Sequence, residues 1–364
     1  MRIAIIGFQK SGKTTVFNAL TGQHAETSAY ASGMATTNQA IVKVPDARLD
    51  QLTALFKPKK HTPATVEYID LAGIARPEGE GAREGLGEKQ MIEIQTADAL
   101  LAVVRGFTDL AGADPDVAGD VEAMNLEMAL ADLGKLENRQ ERIDKQIGRA
   151  PIKEREALQM ELDVVKQVKA ALEEGKPARA VGLGEEQAKL LRGFQLLTMK
   201  PTMFLVSEDE SRWSAHKDSR LELPGLAETP QTMSARLCGQ MEMEIAQLPE
   251  ADRAEFLESY GIEEPAAHRI IRLCYELLGR ISFLTVGPDE CRAWTILRDT
   301  LAPQAAGAIH SDLERGFIRA EVIHWKELLD LGSYAEAKKK GKLRVEGKSY
   351  IVKDGDVINI LFNV

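Results

Sequence analysis

The feature that most constrains this chain is a glycine-bounded loop at its start, between a β-branched run and a helical pattern. Residues Arg2 to Ile6 are typical of a buried strand, and Thr14 to Leu20 have helical periodicity. The segment between them, Gly7-Phe8-Gln9-Lys10-Ser11-Gly12-Lys13-Thr14, has a glycine, four free positions and then Gly-Lys-Thr. A strand, such a loop and a helix in this order predict a parallel α/β sheet that binds phosphate.

The loop predicts a phosphate cradle built from main-chain amides. Glycine allows the backbone to approach a phosphate closely, and the following helix directs the positive end of its dipole at the anion. We expect Lys13 to bridge the terminal phosphates and the Thr14 hydroxyl to hold Mg²⁺. A chance match to the pattern is the alternative, and the position between strand and helix argues against it. The predicted nucleotide-binding residues here are Gly7, Phe8, Gln9, Lys10, Ser11, Gly12, Lys13, Thr14 and Thr15.

A second motif, Asp70-Leu71-Ala72-Gly73, ends another predicted strand, Thr65 to Asp70. The Asp70 carboxylate then lies at the carboxyl edge of the sheet, where a P-loop NTPase has the aspartate that faces magnesium. The Gly73 amide would donate to the γ-phosphate. A polar strand end is the alternative for this motif taken alone. The sequence therefore predicts Lys13, Asp70 and Gly73 as catalytic residues.

The rest of the chain predicts an interrupted α/β domain followed by a smaller module. Residues 120–174 carry a narrow apolar stripe broken by Pro151, which predicts a helical hairpin inserted before the strand at Thr202. The stripe consists of Leu126, Leu130, Leu133, Ile143 and Ile147, then Leu158, Leu162, Val165, Val168 and Leu172. The predicted domains are 1–112 and 199–280 for the two parts of the nucleotide-binding domain, 113–198 for the hairpin and 281–364 for an α+β module. Within that module, 342–345 and 349–352 are predicted to form a β-hairpin.

The chain resembles the YchF family of Obg-related P-loop GTPases of the translation-factor class, also called Obg-like ATPases. The resemblance covers nearly the whole chain. It is carried by 44–50 (VPDARLD), 57–60 (KPKK), 63–67 (PATVE), 70–73 (DLAG), 84–87 (EGLG), 293–296 (AWTI), 302–307 (APQAAG), 316–323 (GFIRAEVI) and 354–358 (DGDVI). It implies a coiled-coil hairpin inserted in the nucleotide-binding domain, a C-terminal β-grasp module of the TGS type, and binding to ribosomes or RNA.

The resemblance also implies where the purine base binds. Ser207-Glu208-Asp209-Glu210 matches the segment in which the family replaces the guanine-reading motif. Ser207 stands where the family has asparagine, and Glu210 stands where guanine-specific proteins have aspartate. Ser234 and Ala235, in Met233-Ser234-Ala235-Arg236, resemble the final base-edge loop. A carboxylate can accept from guanine, whereas adenine would depend on backbone groups and water, so ATP and GTP both remain open.

Two residues depart from the GTPase pattern, and the first switch segment does not align cleanly with it. Ile74 follows Gly73, where many GTPases have the glutamine that orients water, so we expect slow intrinsic turnover, with the water positioned by a backbone group, a partner or the phosphate itself. Lys10 replaces the family's asparagine, and its ammonium is expected to substitute for a K⁺ ion beside the phosphates. A solvated loop lysine is the alternative. Thr36 and Thr37 are the candidates for the threonine that contacts Mg²⁺ from the first switch segment.

Charge and cysteine content limit the remaining possibilities. The formal net charge is −10, so any nucleic-acid contact needs a local basic patch, such as Lys338-Lys339-Lys340 or Lys57-Pro58-Lys59-Lys60. These runs are equally typical of a solvated surface. The cysteines, Cys238, Cys274 and Cys291, are odd in number and form no CxxC pair, which predicts a reducing compartment and no disulfide partner. With no apolar run long enough to span a bilayer, we expect a cytoplasmic protein without a membrane partner.

These features favour a nucleotide-hydrolysing switch that acts with Mg²⁺ on a ribosomal or RNA partner. The alternative is a nucleotide-gated ribosome-binding module with negligible hydrolysis, which Ile74 favours. A P-loop metabolite kinase is the weakest alternative, because a hairpin with a narrow apolar stripe offers little space for a small acceptor substrate.

Overall fold

The computed structural model describes residues 1–25, 37–75, 87–216, 221–223, 225–226 and 228–363. The strands in these residues are β1 (Arg2–Ile6), β2 (Asn38–Lys43), β3 (Lys60–Thr62), β4 (Thr65–Asp70), β5 (Ala99–Gly106), β6 (Thr202–Glu208), β7 (Thr232–Cys238), β8 (Arg280–Val286), β9 (Glu290–Leu297), β10 (Phe317–His324), β11 (Arg344–Glu346) and β12 (Asp356–Phe362). Within the same residues, no helix combines the length and the apolar character that a membrane crossing requires.

The helices alternate with the strands in the first half of the chain and cluster in the middle. They are α1 (Lys13–Thr21), α2 (Ala47–Phe56), α3 (Glu88–Thr96), α4 (Val117–Ile147), α5 (Ile152–Glu173), α6 (Glu185–Leu191), α7 (Glu210–His216), α8 (Gly239–Gln247), α9 (Glu250–Ser259), α10 (Ala266–Leu277), α11 (Ala302–Ile309), α12 (Ser311–Arg315), α13 (Trp325–Leu331) and α14 (Tyr334–Lys339). The chain divides into a first unit, Met1–Ile41 with Glu67–Ile270, and a second unit, Val42–Val66 with Ile271–Val364.

The first unit is built on a sheet with the strand order β2-β4-β1-β5-β6-β7. β1 pairs in parallel with β4 and β5, and β6 and β7 continue the parallel arrangement. The strands are continuous apolar runs because both faces of the sheet are covered, and Ala4 and Ile5 of β1 have no exposed surface. This confirms the predicted P-loop α/β sheet. The carboxyl ends of these five parallel strands lie at one edge, where open α/β sheets bind their ligands.

Helices α4 and α5 form the predicted hairpin, but part of the predicted stripe is wrong. Leu126 and Leu130 are more than half exposed, at 58% and 53%. The first half of α4 instead packs Met124 and Met128 into the core beside the sheet, and its second half packs Leu136 against α5. One helix therefore buries two different faces, which a single periodic stripe does not describe. The α5 residues in this packing are Val164, Val165, Val168 and Leu172.

The second unit contains a sheet with the strand order β11-β10-β12-β8-β9-β3. β8 and β9 form an antiparallel pair, β10 and β12 form another, and β12 lies parallel to β8. Helix α11 packs against one face of this sheet through Ala302, Ala305 and Ala306, which contact a core containing Ile281 and Phe283. This topology fits the predicted β-grasp module.

The predicted β-hairpin between 342–345 and 349–352 is wrong. β11 pairs instead with β10, with Val345 opposite Glu321. Ile351 forms an isolated bridge with Leu301, and the Val352 amide donates to the Thr300 carbonyl. The Glu346-Gly347-Lys348 turn is present in the sequence, but the arms find partners that are distant in sequence.

The boundary predicted for the first part of the nucleotide-binding domain, 1–112, also differs from the structure. Residues Val42–Val66 belong to the second unit, and residues 271–280 join it as well. The cause is β3, which pairs in parallel with β9 and places Lys60 opposite Glu290. The Lys-Pro-Lys-Lys sequence around this short strand has the composition of a surface loop, so the sequence gives no strand signal there.

Candidate functional site

The Gly7–Thr14 loop follows β1 at the carboxyl edge of the sheet and is folded tightly back on itself. A Cβ on Gly7 would lie 2.5 Å from the Val103 carbonyl oxygen, so only glycine fits this position. The Gln9 amide donates to the Ile74 carbonyl at 2.9 Å, and the Ile74 amide donates to the Gly7 carbonyl at 3.0 Å. These two bonds fix the loop to the segment that follows β4.

Lys13 begins α1, and its ammonium lies inside the loop. The side chain is 7% exposed, and Nζ donates to the Phe8 carbonyl at 2.7 Å. Burial lowers the pKa of Lys13 to about 8, while the nearby charge of Asp70 acts in the opposite direction. Among the residues that the structure describes, a main-chain oxygen is the acceptor of this buried ammonium, and the uncompensated positive charge makes the loop a site for an anion.

Thr14 and Asp70 meet beside this ammonium. The Thr14 hydroxyl donates to Asp70 Oδ2 at 2.9 Å, and Asn38 Nδ2 donates to the same oxygen at 3.4 Å. Burial raises the pKa of Asp70, whereas the hydrogen bonds from Thr14 and Asn38 and the charge of Lys13 lower it. Asp70 Oδ1 and the Ser11 hydroxyl are both buried without a hydrogen-bond partner in the described part of the chain. Such atoms are costly unless a ligand satisfies them.

The donor set suits Mg²⁺. A carboxylate oxygen and a hydroxyl oxygen are the hard ligands that this ion prefers, and Mg²⁺ usually completes its shell with water and phosphate oxygens. Across the ranges that the structure describes, no group of three or more His, Cys, Asp or Glu residues could hold a metal ion. The Thr14 and Asp70 oxygens therefore fit a magnesium ion that arrives with a phosphate ligand rather than one held by protein alone.

The first switch segment has two threonine candidates for Mg²⁺ contact. Of these, Thr36 lies outside the described residues. Thr37 donates its hydroxyl to Glu93 of α3, at 2.9 Å from Oε1 and 3.0 Å from Oε2. In this structure the Thr37 hydroxyl is therefore hydrogen-bonded to Glu93 and not to Asp70. Its neighbour Asn38, which the sequence analysis did not single out, is the residue that contacts Asp70.

Gly73 lies against the loop, as its predicted role requires. A Cβ at Gly73 would lie 2.8 Å from the Cα of Gln9 and 3.0 Å from Lys13 Nζ. The peptide before it is held by Gln90 of α3, whose Nε2 donates to the Ala72 carbonyl at 2.8 Å. The Gly73 backbone is thus fixed within contact distance of the lysine that would bind phosphate.

Ser207 lies at the carboxyl end of β6 and faces the loop. It is buried, and its hydroxyl oxygen lies 3.0 Å from the position of a Cβ on Gly12. Glu210 begins α7 and is exposed. Of the nucleotide-binding residues predicted outside the loop, Ser207 therefore contacts the cradle directly, and Glu210 lies at the rim after the strand.

The predicted base-edge loop at Ser234 and Ala235 is wrong. Both residues lie inside β7, where Ala235 pairs with Leu205 in the middle of β6, and the Ser234 hydroxyl donates to the Leu221 carbonyl. The end of β7 is Cys238, and Gly239 follows as the first residue of α8. A Cβ on Gly239 would lie 2.9 Å from the Ser207 hydroxyl oxygen. The main chain at Cys238 and Gly239 therefore occupies the place expected of the base-edge loop.

Two further residues at the site were not predicted from the sequence. Phe107 follows β5, and its ring carbon Cε1 lies 3.5 Å from the position of a Cβ on Gly12. Gly239 approaches Thr15 as well as Ser207, with Thr15 Cγ2 3.4 Å from the position of its Cβ. The carboxyl ends of β5 and β7 were the signal that could have identified both, because parallel strands present their following residues at one edge.

Lys10 is exposed and has a φ of 62°, in the left-handed region. A hydrogen bond from the Ala113 amide is the main cause that lowers the pKa of Asp109, and the charge of Lys10 adds to it. The Lys10 ammonium is thus close enough to the loop after β5 to favour the charged form of Asp109. Lys10 remains accessible to solvent.

The predicted basic patches are partly neutralised. Lys59 pairs with Asp289 at 2.8 Å, and Lys339 pairs with Glu336 at 3.8 Å. Such exposed pairs contribute little to stability, yet they reduce the local positive potential.

Comparison with known proteins finds similarity over the whole chain. Residues 2–147 match a family described as "50S ribosome-binding GTPase", and residues 280–363 match the family of the YchF-GTPase C-terminal domain, described as a protein of unknown function. The chain is 41% identical to "Ribosome-binding ATPase YchF" of Bacillus subtilis, over 99% of this chain and 98% of that protein. It is 36% identical to "Obg-like ATPase 1" of Oryza sativa subsp. japonica, over 100% of this chain and 92% of that one.

A solved structure agrees with these matches. The YchF GTPase of Schizosaccharomyces pombe superimposes with a TM-score of 0.82 at 28% identity, over 99% of this chain and 97% of the other.

Proposed function

Because this chain belongs to the YchF family, we propose that it is a magnesium-dependent NTPase that hydrolyses ATP or GTP and acts as a switch on the ribosome or on RNA. The observation that carries the proposal is the group of buried polar atoms around the start of α1. In the described part of the chain the Ser11 hydroxyl and Asp70 Oδ1 have no hydrogen-bond partner, and the buried Lys13 ammonium donates to the Phe8 carbonyl. A triphosphate with a divalent cation supplies partners for all three groups.

Each residue of the cradle has a role in this proposal. The amides of Gly7 to Thr14 and the dipole of α1 hold the β- and γ-phosphates, and Lys13 neutralises the charge that develops on them. Thr14 and Asp70 would hold Mg²⁺, which when bound stabilises negative charge on the same phosphates. The Gly73 amide donates to a γ-phosphate oxygen and so distinguishes a triphosphate from a diphosphate.

The base is recognised at the carboxyl ends of β6 and β7. Glu210 can accept hydrogen bonds from guanine N1 and N2, whereas adenine presents an acceptor at N1 and must be read by backbone groups. The main chain of Cys238 and Gly239 supplies such groups next to Ser207. Calorimetric titration with ATP and GTP analogues in the presence of magnesium decides between the two purines.

The partner is the ribosome or an RNA. The relative in Bacillus subtilis is named a ribosome-binding ATPase. This name supports a ribosomal partner for this chain and, with that partner, a cytoplasmic location. With a net charge of −10, RNA contact must come from local basic residues, so its affinity should fall steeply with salt.

A second candidate function is a nucleotide-gated ribosome-binding module with negligible hydrolysis. Ile74 favours it, because this residue is 1% exposed and cannot reach a bound nucleotide.

Phosphate release, measured with and without ribosomes, separates the two functions. We expect wild-type protein to release phosphate faster than Lys13→Ala, with a larger difference in the presence of ribosomes. Phosphate release should stop when EDTA removes magnesium. Equal release from both proteins under every condition would leave only the binding module.

The monovalent-ion requirement provides a separate prediction. We propose that the Lys10 ammonium takes the place of K⁺, so wild-type hydrolysis should be equal in potassium and sodium buffers. Lys10→Asn should restore ion dependence, with hydrolysis about 3- to 10-fold faster in potassium than in sodium. The measurement is steady-state phosphate release at matched ionic strength. Strong potassium stimulation of the wild-type protein would contradict the role of Lys10.

A further inference from the structure

The residue after Gly73 cannot act on water in this fold. Ile74 is 1% exposed and packs in the core with Phe8 and Ile94. Its amide and carbonyl are both used in the hydrogen bonds to Gly7 and Gln9. Hydrolysis therefore needs an orienting group from another position near the γ-phosphate.

Gln9 is the side chain that the structure brings to this place. Its Cγ lies 3.0 Å from the position of a Gly73 Cβ, and Lys13 Nζ lies 3.0 Å from the same point. The Gln9 residue is exposed to solvent. Among the described residues, its carboxamide makes no hydrogen bond, so it is available to a ligand.

The neighbouring polar side chains are less suitable. Gln90 also carries a carboxamide near Gly73, but its two ends bond to the Ala72 carbonyl at 2.8 Å and the Gly87 amide at 3.0 Å. Lys13 and Lys10 are cations, which donate hydrogen bonds but cannot accept one from water while protonated. A carboxamide can accept from a water molecule and donate to a phosphate oxygen at the same time.

We propose that Gln9 is a catalytic residue that orients the attacking water, an inference that rests on the hydrolytic function proposed above. The water oxygen forms a bond to the γ-phosphorus while the bond from this phosphorus to the β–γ bridging oxygen breaks. The electron pair of the broken bond stays on the diphosphate, and the proton of the water passes to an oxygen of the released phosphate. In the transition state, Gln9 accepts a hydrogen bond from the water and its NH₂ group donates to a γ-phosphate oxygen.

Single-turnover hydrolysis of ATP and GTP tests this role. Gln9→Ala should slow the chemical step by about 10- to 50-fold, because an unoriented water loses the reactive geometry. Affinity for a non-hydrolysable triphosphate should change by less than about twofold, since the loop amides and Lys13 remain. Gln9→Glu, which keeps the length but cannot donate, should be slowed as well. Gln23→Ala, at an exposed glutamine beyond α1, is the matched control and should match the wild type.

A second readout is specific to orientation of the water. The complex of nucleoside diphosphate, magnesium and aluminium fluoride imitates the transferring phosphoryl group with its water, so Gln9→Ala should weaken this complex by a factor close to its loss of rate. An unchanged rate in both Gln9 variants, or equal losses in rate and in triphosphate affinity, would overturn the role of Gln9. Failure of the proposed function is distinguishable, because wild-type protein would then release no more phosphate than Lys13→Ala.

Discussion

Lys13→Met is expected to weaken triphosphate binding by about 100- to 1000-fold, since removal of one partner from a buried charge contact costs several kcal/mol. The same substitution should stabilise the free protein. Lys13 is almost fully buried, and within the described ranges the Phe8 carbonyl and the charge of Asp70 are what compensates its ammonium for lost hydration. Methionine keeps the apolar stem without the charge. We expect a gain of about 1–3 kcal/mol in the free energy of unfolding at neutral pH.

The stability effect depends on pH in a defined direction. The pKa of Lys13 is lowered to about 8 in the folded chain, below the ordinary lysine value. Between about pH 8 and pH 10.4 the unfolded chain therefore binds more protons, and the contribution of Lys13 to the free energy of unfolding becomes less unfavourable as pH rises. The advantage of Lys13→Met over wild type should be complete at pH 7 and should shrink through this window.

Calorimetric titration with a non-hydrolysable triphosphate and urea unfolding at pH 7 and pH 9.5 measure the two effects. Lys43→Met, at an exposed lysine of β2, is the matched control and should change neither affinity nor stability appreciably. Retained affinity in Lys13→Met would contradict the assignment of the loop as a phosphate cradle. A less stable Lys13→Met protein at pH 7 would contradict the account of the buried charge.

Gly73→Ala is expected to lower the rate of hydrolysis by about 100-fold, the range found when a preorganised main-chain donor is displaced. The new Cβ would lie 2.8 Å from the Cα of Gln9, a backbone atom that cannot rotate away. The two segments joined by the Gln9 and Ile74 hydrogen bonds must separate to accept it. The γ-phosphate then loses the Gly73 amide, whereas contacts to the β-phosphate remain.

The comparison of triphosphate and diphosphate affinities checks this prediction. Wild-type protein should distinguish the two nucleotides, and Gly73→Ala should bind them more nearly equally. Gly134→Ala is the matched control, because Gly134 lies in α4 and, apart from the backbone of its own helix, no atom of the described residues lies within 4 Å of the position of its Cβ. It should keep full activity and gain about 0.5–1 kcal/mol in stability. Unimpaired hydrolysis in Gly73→Ala would show that this backbone does not contact the γ-phosphate.

The parts of the site that follow one strand directly could be predicted from the sequence. The cradle after β1 and Asp70 at the end of β4 have local signals, because the strand, the turn and the ligand-binding residues are contiguous. Ser234 and Ala235 show the limit. Their segment has the composition of a loop, but β7 continues through it to Cys238, since the register with β6 is decided by tertiary pairing.

The fold was predictable to a similar extent. Continuous apolar runs predict the buried parallel strands, and Pro151 separates the two hairpin helices correctly. The exposure of Leu126 and Leu130 could not be predicted, because α4 changes the neighbour against which it packs along its length. Likewise, β3 has only Lys60, His61 and Thr62, and a distant strand holds it in a sheet. In each case the deciding contact is remote in sequence, and local periodicity carries no information about it.

The pairing of β3 with β9 has a practical consequence for dissecting this protein. A fragment ending near residue 280 would retain β3 without the strand that holds it, and a fragment beginning there would expose an edge of β9. No single cleavage of the polypeptide yields two intact pieces. To express the first unit alone, Val42–Val66 should be deleted from it, and to express the second unit alone, the same segment should be fused to Ile271–Val364.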